Sequence, residues 1–353
     1  MGSIFGKYFR VSTFGESHGL AVGVVVDGAP AGVALTVERI QAELDQRRPG
    51  ASPYTSSRQE ADQVEALSGL AEGKTLGTPI ALLVRNVDAR SKDYSELADI
   101  FRPGHADYTY FKKYGVRPQP GGGRASGRET VGRVAAGAVA KAMLNTLGVT
   151  IQAYTVQIGE ITAVHIDPDF AANDPLRWAG PDAAEAMAEL VSRTRDEGDS
   201  IGGVLELAVK GAPPGLGDPV FGKLDSVLGG AMLSIGGIKG VEIGAGFAAA
   251  RRKGSQNNDQ MDETGFLSNN SGGMLGGIST GQDIILRLAV KPTPSIAKEQ
   301  TTRDIEGGVR KIKITGRHDP CLCPRIAPVA EAMAAMVLAD AWLAQRAAKG
   351  EGL

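Results

Sequence analysis

Apolar residues recur along the chain in two rhythms, and their order predicts the architecture. Leu20 to Asp27 is a valine-rich run and Pro79 to Val84 a shorter apolar one; both predict strands. Between them Val37 to Arg47 predicts a helix. Thr36 is placed to cap it, Arg47 and Arg48 sit at the end that favours cations, and Pro49-Gly50 stops it. Gly132 to Leu147 predicts an alanine-rich helix ending at Gly148, and Val149 to Ile161 a long strand. Asp182 to Arg195 predicts an amphipathic helix, and Gly202 to Val209, Ile284 to Val290 and Lys311 to Ile314 predict later strands. Ala327 to Ala348 predicts the longest helix, apolar on most faces and therefore largely buried. This mixed order predicts an α+β fold. The length of 353 residues suggests two domains on a prior of about 150 residues each, but no linker marks a boundary. A single domain over residues 1–353 is the expectation.

Two polar stretches interrupt the rhythm. Gly254 to Gly273 is rich in asparagine and glycine, and Arg47 to Asp62 is punctuated by Pro49, Gly50 and Pro53. Loops of that length are either functional or simply solvated. Glycine is abundant, 48 residues, and falls in separate groups such as Gly121-Gly122-Gly123, Gly229-Gly230 and Gly236-Gly237, which reads first as tight turns.

Charge narrows the function classes. A formal net charge of -2 argues against a broadly basic nucleic-acid binder, and the few aromatics (9 Phe, 7 Tyr, 2 Trp) argue against a base-stacking surface. No uninterrupted apolar run approaches the roughly 18 residues of a membrane span. The N-terminal segment Met1 to Arg10 has no apolar signal core. Cys321 and Cys323 alone give no disulfide framework. A cytoplasmic protein without membrane or nucleic-acid partners is expected.

Histidine, the side chain suited to proton exchange near neutrality, occurs four times. His18 lies in Gly15-Glu16-Ser17-His18-Gly19 and His105 in Arg102-Pro103-Gly104-His105-Ala106-Asp107-Tyr108, both polar glycine-flanked settings rather than core. His165 has a surface setting. Gly121 to Thr130 runs into a helix and offers backbone N–H groups, Arg124 and Arg128, and two hydroxyls, a site suited to phosphate or carboxylate. Its glycine spacing is not that of a dinucleotide fingerprint. Lys291-Pro292-Thr293-Pro294-Ser295 supplies a second cation with hydroxyls, and Arg317-His318-Asp319-Pro320 a third cluster. Rival constellations are weaker. Ser17-His18 lacks the glycine that closes a nucleophile elbow, and His318, Cys321 and Cys323 are too cramped for zinc, so no metal is expected.

Together Gly15 to Gly19 with Val26-Asp27-Gly28, Arg47-Arg48-Pro49-Gly50, Phe101 to Tyr108, Gly121 to Thr130, and Arg317 to Cys321 resemble the chorismate synthase family from end to end. The resemblance implies a lyase that eliminates phosphate from 5-enolpyruvylshikimate 3-phosphate in a 1,4-anti sense to give chorismate. It implies reduced FMN as cofactor, a homotetramer, and a β-α-β sandwich whose antiparallel sheets enclose a helical layer.

Residue roles follow from the same resemblance. His18 matches the histidine near the substrate phosphate, His105 the one at the flavin, and Asp319 the carboxylate that assists proton movement, with Ser17 and Ser126 as relays. The cofactor positions match Arg124, Ala125, Ser126, Gly236, Gly237, Gly276, Lys291, Pro292, Thr293, Pro294, Ser295 and Arg317. Arg47, Arg48 and Arg128 match substrate or NADP contacts. A second arginine of the nicotinamide site corresponds to Pro53, which has neither charge nor N–H, although Arg58 lies nearby. Self-reduction of the flavin by NADPH is therefore doubtful and an external reductant is expected. The alternatives are a flavin- or nucleotide-binding module without turnover, or a nucleic-acid binder using Gly121 to Arg128.

Overall fold

The computed structural model describes residues 2–48, 50, 54, 61–86, 99–116, 120–314 and 318–349. Two five-stranded sheets, each wholly antiparallel, carry most of the long strands. One has the order Ile4–Phe5, Arg10–Gly15, Ala21–Asp27, Ile80–Arg85, Val64–Ser68. The other has the order Ile238–Ile243, Ile284–Val290, Gly203–Lys210, Thr150–Ile158, Ile161–Thr162. The fold is α+β, as the mixed order of elements predicts.

Strand Ile284–Val290 shows why the pattern works. Ile284, Leu286, Leu288 and Val290 point into the core, while Arg287 and Ala289 point out, as a period of two requires. On the outer face Arg287 Nε donates to Glu206 at 3.0 Å, and Glu206 also accepts from the Tyr154 hydroxyl at 2.9 Å.

Helices Thr130–Asn145 and Cys323–Lys349 pack on each other; the first also lies on Ala21–Asp27 and the second on Thr150–Ile158. Their contact is close because Gly137 faces Ala332, where an added Cβ would come within 2.3 Å of the alanine methyl. One continuous apolar cluster runs from Phe9 and Val24 through Val139 and Met333 to Leu207 and Leu288.

Helix Val37–Arg47 has the expected bounds, and Thr36 Oγ1 accepts from the Arg39 N–H at 3.3 Å. The C-terminal helix begins at Cys323, four residues before the apolar pattern suggested. Pro324 sits in its first turn, where no helical N–H is needed, and Pro328 forfeits one bond. It alone among the described helices is long and apolar enough to cross a membrane, yet 78% of its most apolar window is buried.

Other expectations need correction. The strand predicted over 149–161 ends at Ile158, turns through Gly159 at φ +55°, and returns as Ile161–Thr162. Gly229 and Gly230 are not turn residues but lie inside helix Leu224–Leu233, which buries Leu224, Leu228, Ala231 and Met232. The 254–273 stretch holds a short helix and the hairpin Met261–Asp262/Gly265–Phe266. Asp259 ties it together, accepting from Ser268 Oγ at 2.6 Å and from the Asn270 and Ser271 amides at 2.7 and 2.8 Å. Burial would raise that carboxyl, but these donors outweigh it and hold it at about 2.

Candidate active site

A cavity of about 1110 Å³ opens where the segments carrying the charged motifs meet. Its walls come from the 102–106 turn, helix Asp107–Tyr114, the 124–130 turn, residues 234–239, 291–295 and 318–325. Among the described residues, seven Lys or Arg side chains line it (Arg102, Lys113, Arg124, Arg133, Lys239, Lys291, Arg325) against three carboxylates (Glu16, Glu129, Asp319). Burial, and then the nearby Lys239, pull the Lys291 ammonium below its ordinary value. Such a surplus of cations around an open volume is suited to anionic ligands.

The glycine-arginine segment forms two 3₁₀ turns, Pro120–Ala125 and Gly127–Glu129, leading into helix Thr130–Asn145. Ser126 caps the second turn, its hydroxyl accepting from the Arg128 N–H at 3.3 Å. Arg124 reaches back to the first sheet, donating to Thr13 Oγ1 at 2.6 Å and to the Gly15 carbonyl at 3.3 Å. The cavity wall is thereby fixed to strand Arg10–Gly15.

His105 stands on that wall. Its Nδ1 lies 2.8 Å from Asp107 Oδ1. Asp107 also accepts from Arg102 Nε at 2.7 Å, from Arg102 Nη2 at 2.8 Å and from the Arg102 amide at 3.2 Å. Burial would raise the Asp107 carboxyl, yet the bonds from Arg102 and His105 hold it well below the usual carboxylate range. The far edge of the ring faces Gly122, where a built Cβ would come within 2.7 Å of Cε1 and 3.2 Å of Nε2. Only glycine leaves the imidazole that room.

Across the cavity, Arg325 Nη1 pairs with Asp319 Oδ2 at 2.6 Å, and the Asp319 carbonyl accepts from Thr293 Oγ1 at 2.6 Å. Lys291 Nζ donates to the Gly104 carbonyl at 2.6 Å, so the 291–295 segment is strapped to the histidine turn.

Of the residues singled out from sequence, His105, Asp319, Arg124, Ala125, Ser126, Gly236, Gly237, Lys291, Thr293, Pro294 and Ser295 all line this one cavity. Pro292 joins its neighbours in chain but is not among the lining residues, and Gly276 sits at φ +61° in the hairpin turn between Met274–Leu275 and Ile278–Ser279. Arg317, Pro53 and Arg58 lie outside the described residues.

Ser17 and His18 occupy the turn beside the lining residue Glu16, with Ser17 Oγ 3.1 Å from His18 Nδ1. Arg47 and Arg128 are buried, Arg47 engaging Oδ2 of Asp62 and Arg128 its Oδ1. Burial would raise the Asp62 carboxyl, but the paired guanidiniums hold it below the ordinary range. Arg128 Nε also donates to Asn86 Oδ1 at 2.8 Å, and Asn86 Nδ2 donates to the carbonyls of Glu16 and Gly19 at 3.0 and 2.8 Å. The buried arginines thus brace the His18 turn from beneath. Arg48 lies at the surface, 3.6 Å from Asp45.

Sequence reasoning missed Lys113, Arg133, Lys239 and Arg325 as cavity cations. They sit in helices or strands without a local motif, and only Lys239, two residues after Gly236-Gly237, carried a positional hint.

A sequence model of the chorismate synthase family matches residues 9–343. The chain is 53% identical over 345 residues to a chorismate synthase of Nitratidesulfovibrio vulgaris (strain Hildenborough), covering 98% of each chain. It is 53% identical over 353 residues to one from Chloroflexus aurantiacus, covering 99% of this chain and 97% of that one. A crystal structure of a chorismate synthase superposes with a TM-score of 0.73 at 34% identity, over 96% of this chain and 92% of the other.

Proposed function

The chain belongs to the chorismate synthase family, and from that premise we propose how its cavity divides the work. The activity is that of a chorismate synthase, a lyase acting at the last step of the shikimate pathway, which eliminates phosphate from 5-enolpyruvylshikimate 3-phosphate. The family implies a reduced flavin.

The single observation that carries the assignment is the excess of cations around the cavity. The substrate bears a phosphate and two carboxylates, and FMN bears a further phosphate. Seven cationic side chains against three carboxylates, counted among the described residues, suit that load. A pocket for one drug-sized ligand measures roughly 300–1,000 Å³, so about 1110 Å³ leaves room for cofactor and substrate together. At Gly236 a Cβ would meet nothing within 4 Å, a bare wall suited to a planar ring. The residues therefore fit the flavin.

When bound, the reduced flavin supplies electron density transiently, with no net redox change. Arg124 to Ser126, Gly236, Gly237 and Lys291 to Ser295 hold it, with Gly276 and Arg317 assigned by resemblance. His105 holds a proton at the cavity edge. His18, oriented through Ser17, gives a proton to the departing phosphate. Asp319, kept in place by Arg325, takes part in moving the ring proton, with Ser17 and Ser126 as relays. Arg47, Arg48 and Arg128 remain the substrate or NADP candidates, but the burial of Arg47 and Arg128 on Asp62 favours bracing the His18 turn over direct contact.

We also propose a single domain, since one apolar cluster joins both sheets, and a sandwich in which those sheets enclose the two packed helices. Two free, buried thiols suit the reducing cytoplasm. A homotetramer is proposed by family resemblance; a monomer mass by light scattering would remove it. Arg47 is 1% exposed and already paired, which favours weak NADPH binding and an external reductant.

The test is an anaerobic assay of purified protein. Chorismate is expected from substrate plus reduced FMN, and its absence would sink the assignment. NADPH as the only reductant should give far slower turnover; an undiminished rate would overturn the external-reductant reading and point to Arg58.

A further inference from the structure

We propose that Asp107 is the positioning residue that sets the tautomer of His105, holding the proton on Nδ1 so that Nε2 is the ring nitrogen left for proton exchange at the cavity His105 lines. The inference rests on the reading of His105 as an acid–base group and deepens it.

The argument is one of donors and acceptors. Asp107 is buried and stays ionised, so both of its oxygens are acceptors only. Its Oδ1 lies 2.8 Å from His105 Nδ1. Two lone pairs at that separation would repel, and a proton must lie between them. That proton belongs to the imidazole. Arg102 Nη2 is also 3.1 Å from Nδ1, but it is a donor with a closer acceptor, Asp107 Oδ1 at 2.8 Å. Its presence therefore does not require a lone pair on Nδ1.

The other edge of the ring is set by Gly122, whose missing side chain admits Cε1 and Nε2. Asp107 fixes one side of the imidazole and the glycine turn fixes the other. Asp107 is itself immobilised by three donors of Arg102, so the orientation is preset before any ligand enters. A neutral His105 in this tautomer presents an unprotonated Nε2, and a charged one presents a donor there. Proton exchange with a ligand is confined to one atom.

Asp107→Asn tests this with almost no change of shape. Its amide oxygen is drawn to the place of Oδ2, where the Arg102 amide and Nε both donate, so the NH₂ group takes the place of Oδ1, gives up the single bond from Arg102 Nη2 and turns toward Nδ1. The ring must then take its proton on Nε2. With only four histidines in the chain, ¹⁵N-histidine labelling and a His105→Ala reference identify the His105 signals. At a pH above the point where the His105 signals stop shifting, the wild type should show Nδ1–H and Asp107→Asn should show Nε2–H. Turnover in Asp107→Asn should fall by about 10²-fold or more, the range of a misplaced acid–base group, with a much smaller change in KM.

An Nε2–H tautomer in the wild type would overturn the proposal, and that measurement needs no variant to fold. Turnover of Asp107→Asn within about twofold of wild type, beside an inactive His105→Ala, would remove Asp107 while leaving His105 in the mechanism. Full turnover in His105→Ala would instead overturn the acid–base reading on which the proposal stands.

Discussion

Two regions of the molecule gather charge away from bulk water, and they do so differently. Between the helices, Glu331 is buried. Its oxygens accept from Lys141 Nζ at 2.8 Å, from Arg177 Nη1 at 2.9 Å and from the Ala153 amide at 3.0 Å. Lys141 turns also to Glu43 at 2.7 Å. Two cations meet two carboxylates, and the cluster closes on itself. The cavity instead is lined, among the described residues, by seven cations and three carboxylates. Arg102 is answered by Asp107 behind the wall, and the other six still outnumber the carboxylates around an open volume. Unpaired buried charge is costly, so a fold that only needs stability balances its charges. Where it keeps a surplus, the missing anions belong to ligands. The contrast separates charge that holds the protein together from charge that serves the reaction, and each prediction probes one side of it.

The largest effect is expected on the cavity side. His18→Ala and His105→Ala should each lower turnover by about 10²–10⁴-fold, the range of an acid–base group, while the thermal midpoint barely moves. An anaerobic chorismate assay beside a melting curve checks both halves. Activity within twofold of wild type in either variant would take that histidine out of the mechanism.

On the closed side the sign reverses. Glu331→Ala leaves Lys141 and Arg177 facing each other without their shared carboxylate, and should cost about 3–5 kcal/mol of stability with turnover per folded molecule unchanged. Burial alone would raise the Glu331 carboxyl, but Lys141 and Arg177 hold it below its ordinary value. A depressed folded pKa gives stability that is present above the unfolded value, about 4.3, and lost as pH falls through the folded one. The stability gap between wild type and Glu331→Gln, followed by urea denaturation, should therefore narrow below about pH 4. A gap that stays constant on acidification would show that the ionised carboxylate is not what the cluster needs.

Lys291→Met lies between the two. Among the described residues Lys291 pairs with a carbonyl and no carboxylate, and it is pushed down by burial and by Lys239, so removing it should leave the free protein as stable as before or slightly more so. Ligand affinity should weaken by roughly 10- to 100-fold, the worth of about 1.5–3 kcal/mol for a hydrogen bond to a charged group. Titration with FMN and with substrate separately shows which anion it meets. A loss of stability with unchanged affinity for both would move Lys291 to the structural side.

How much of this contrast was legible in the sequence depends on how local each signal is. Helix Val37–Arg47 and strand Ile284–Val290 were readable to the residue, because a capping threonine and a period of two act within a few positions. Helix Leu224–Leu233 was not, because Gly229 and Gly230 argue against it locally and burial of Leu228 and Met232 overrides them. The same holds for charge. The glycine-flanked histidines and the Gly121–Thr130 segment announce themselves; His105 and most of residues 124–130 line one cavity, while His18 sits two residues from its lining residue Glu16. A cation's partner is invisible in sequence: Arg47 and Arg128 read as ligand contacts until Asp62 is found between them. Asp107 lies inside a recognised motif, yet only the distance to Nδ1 gives it a role.

The smallest expected effect is that of His165→Ala. Its side chain is 79% exposed and its Nδ1 lies 3.0 Å from Asp182, itself 72% exposed. Exposed pairs of this kind gain little, because water screens the attraction and both side chains lose freedom to make it. His165 touches neither the balanced cluster nor the cavity. Turnover, flavin affinity and the melting curve of the variant should all overlay those of the wild type. A clear loss of activity would mean that a histidine far from both regions reaches the chemistry, and the division between closed and open charge would then fail as a guide to function.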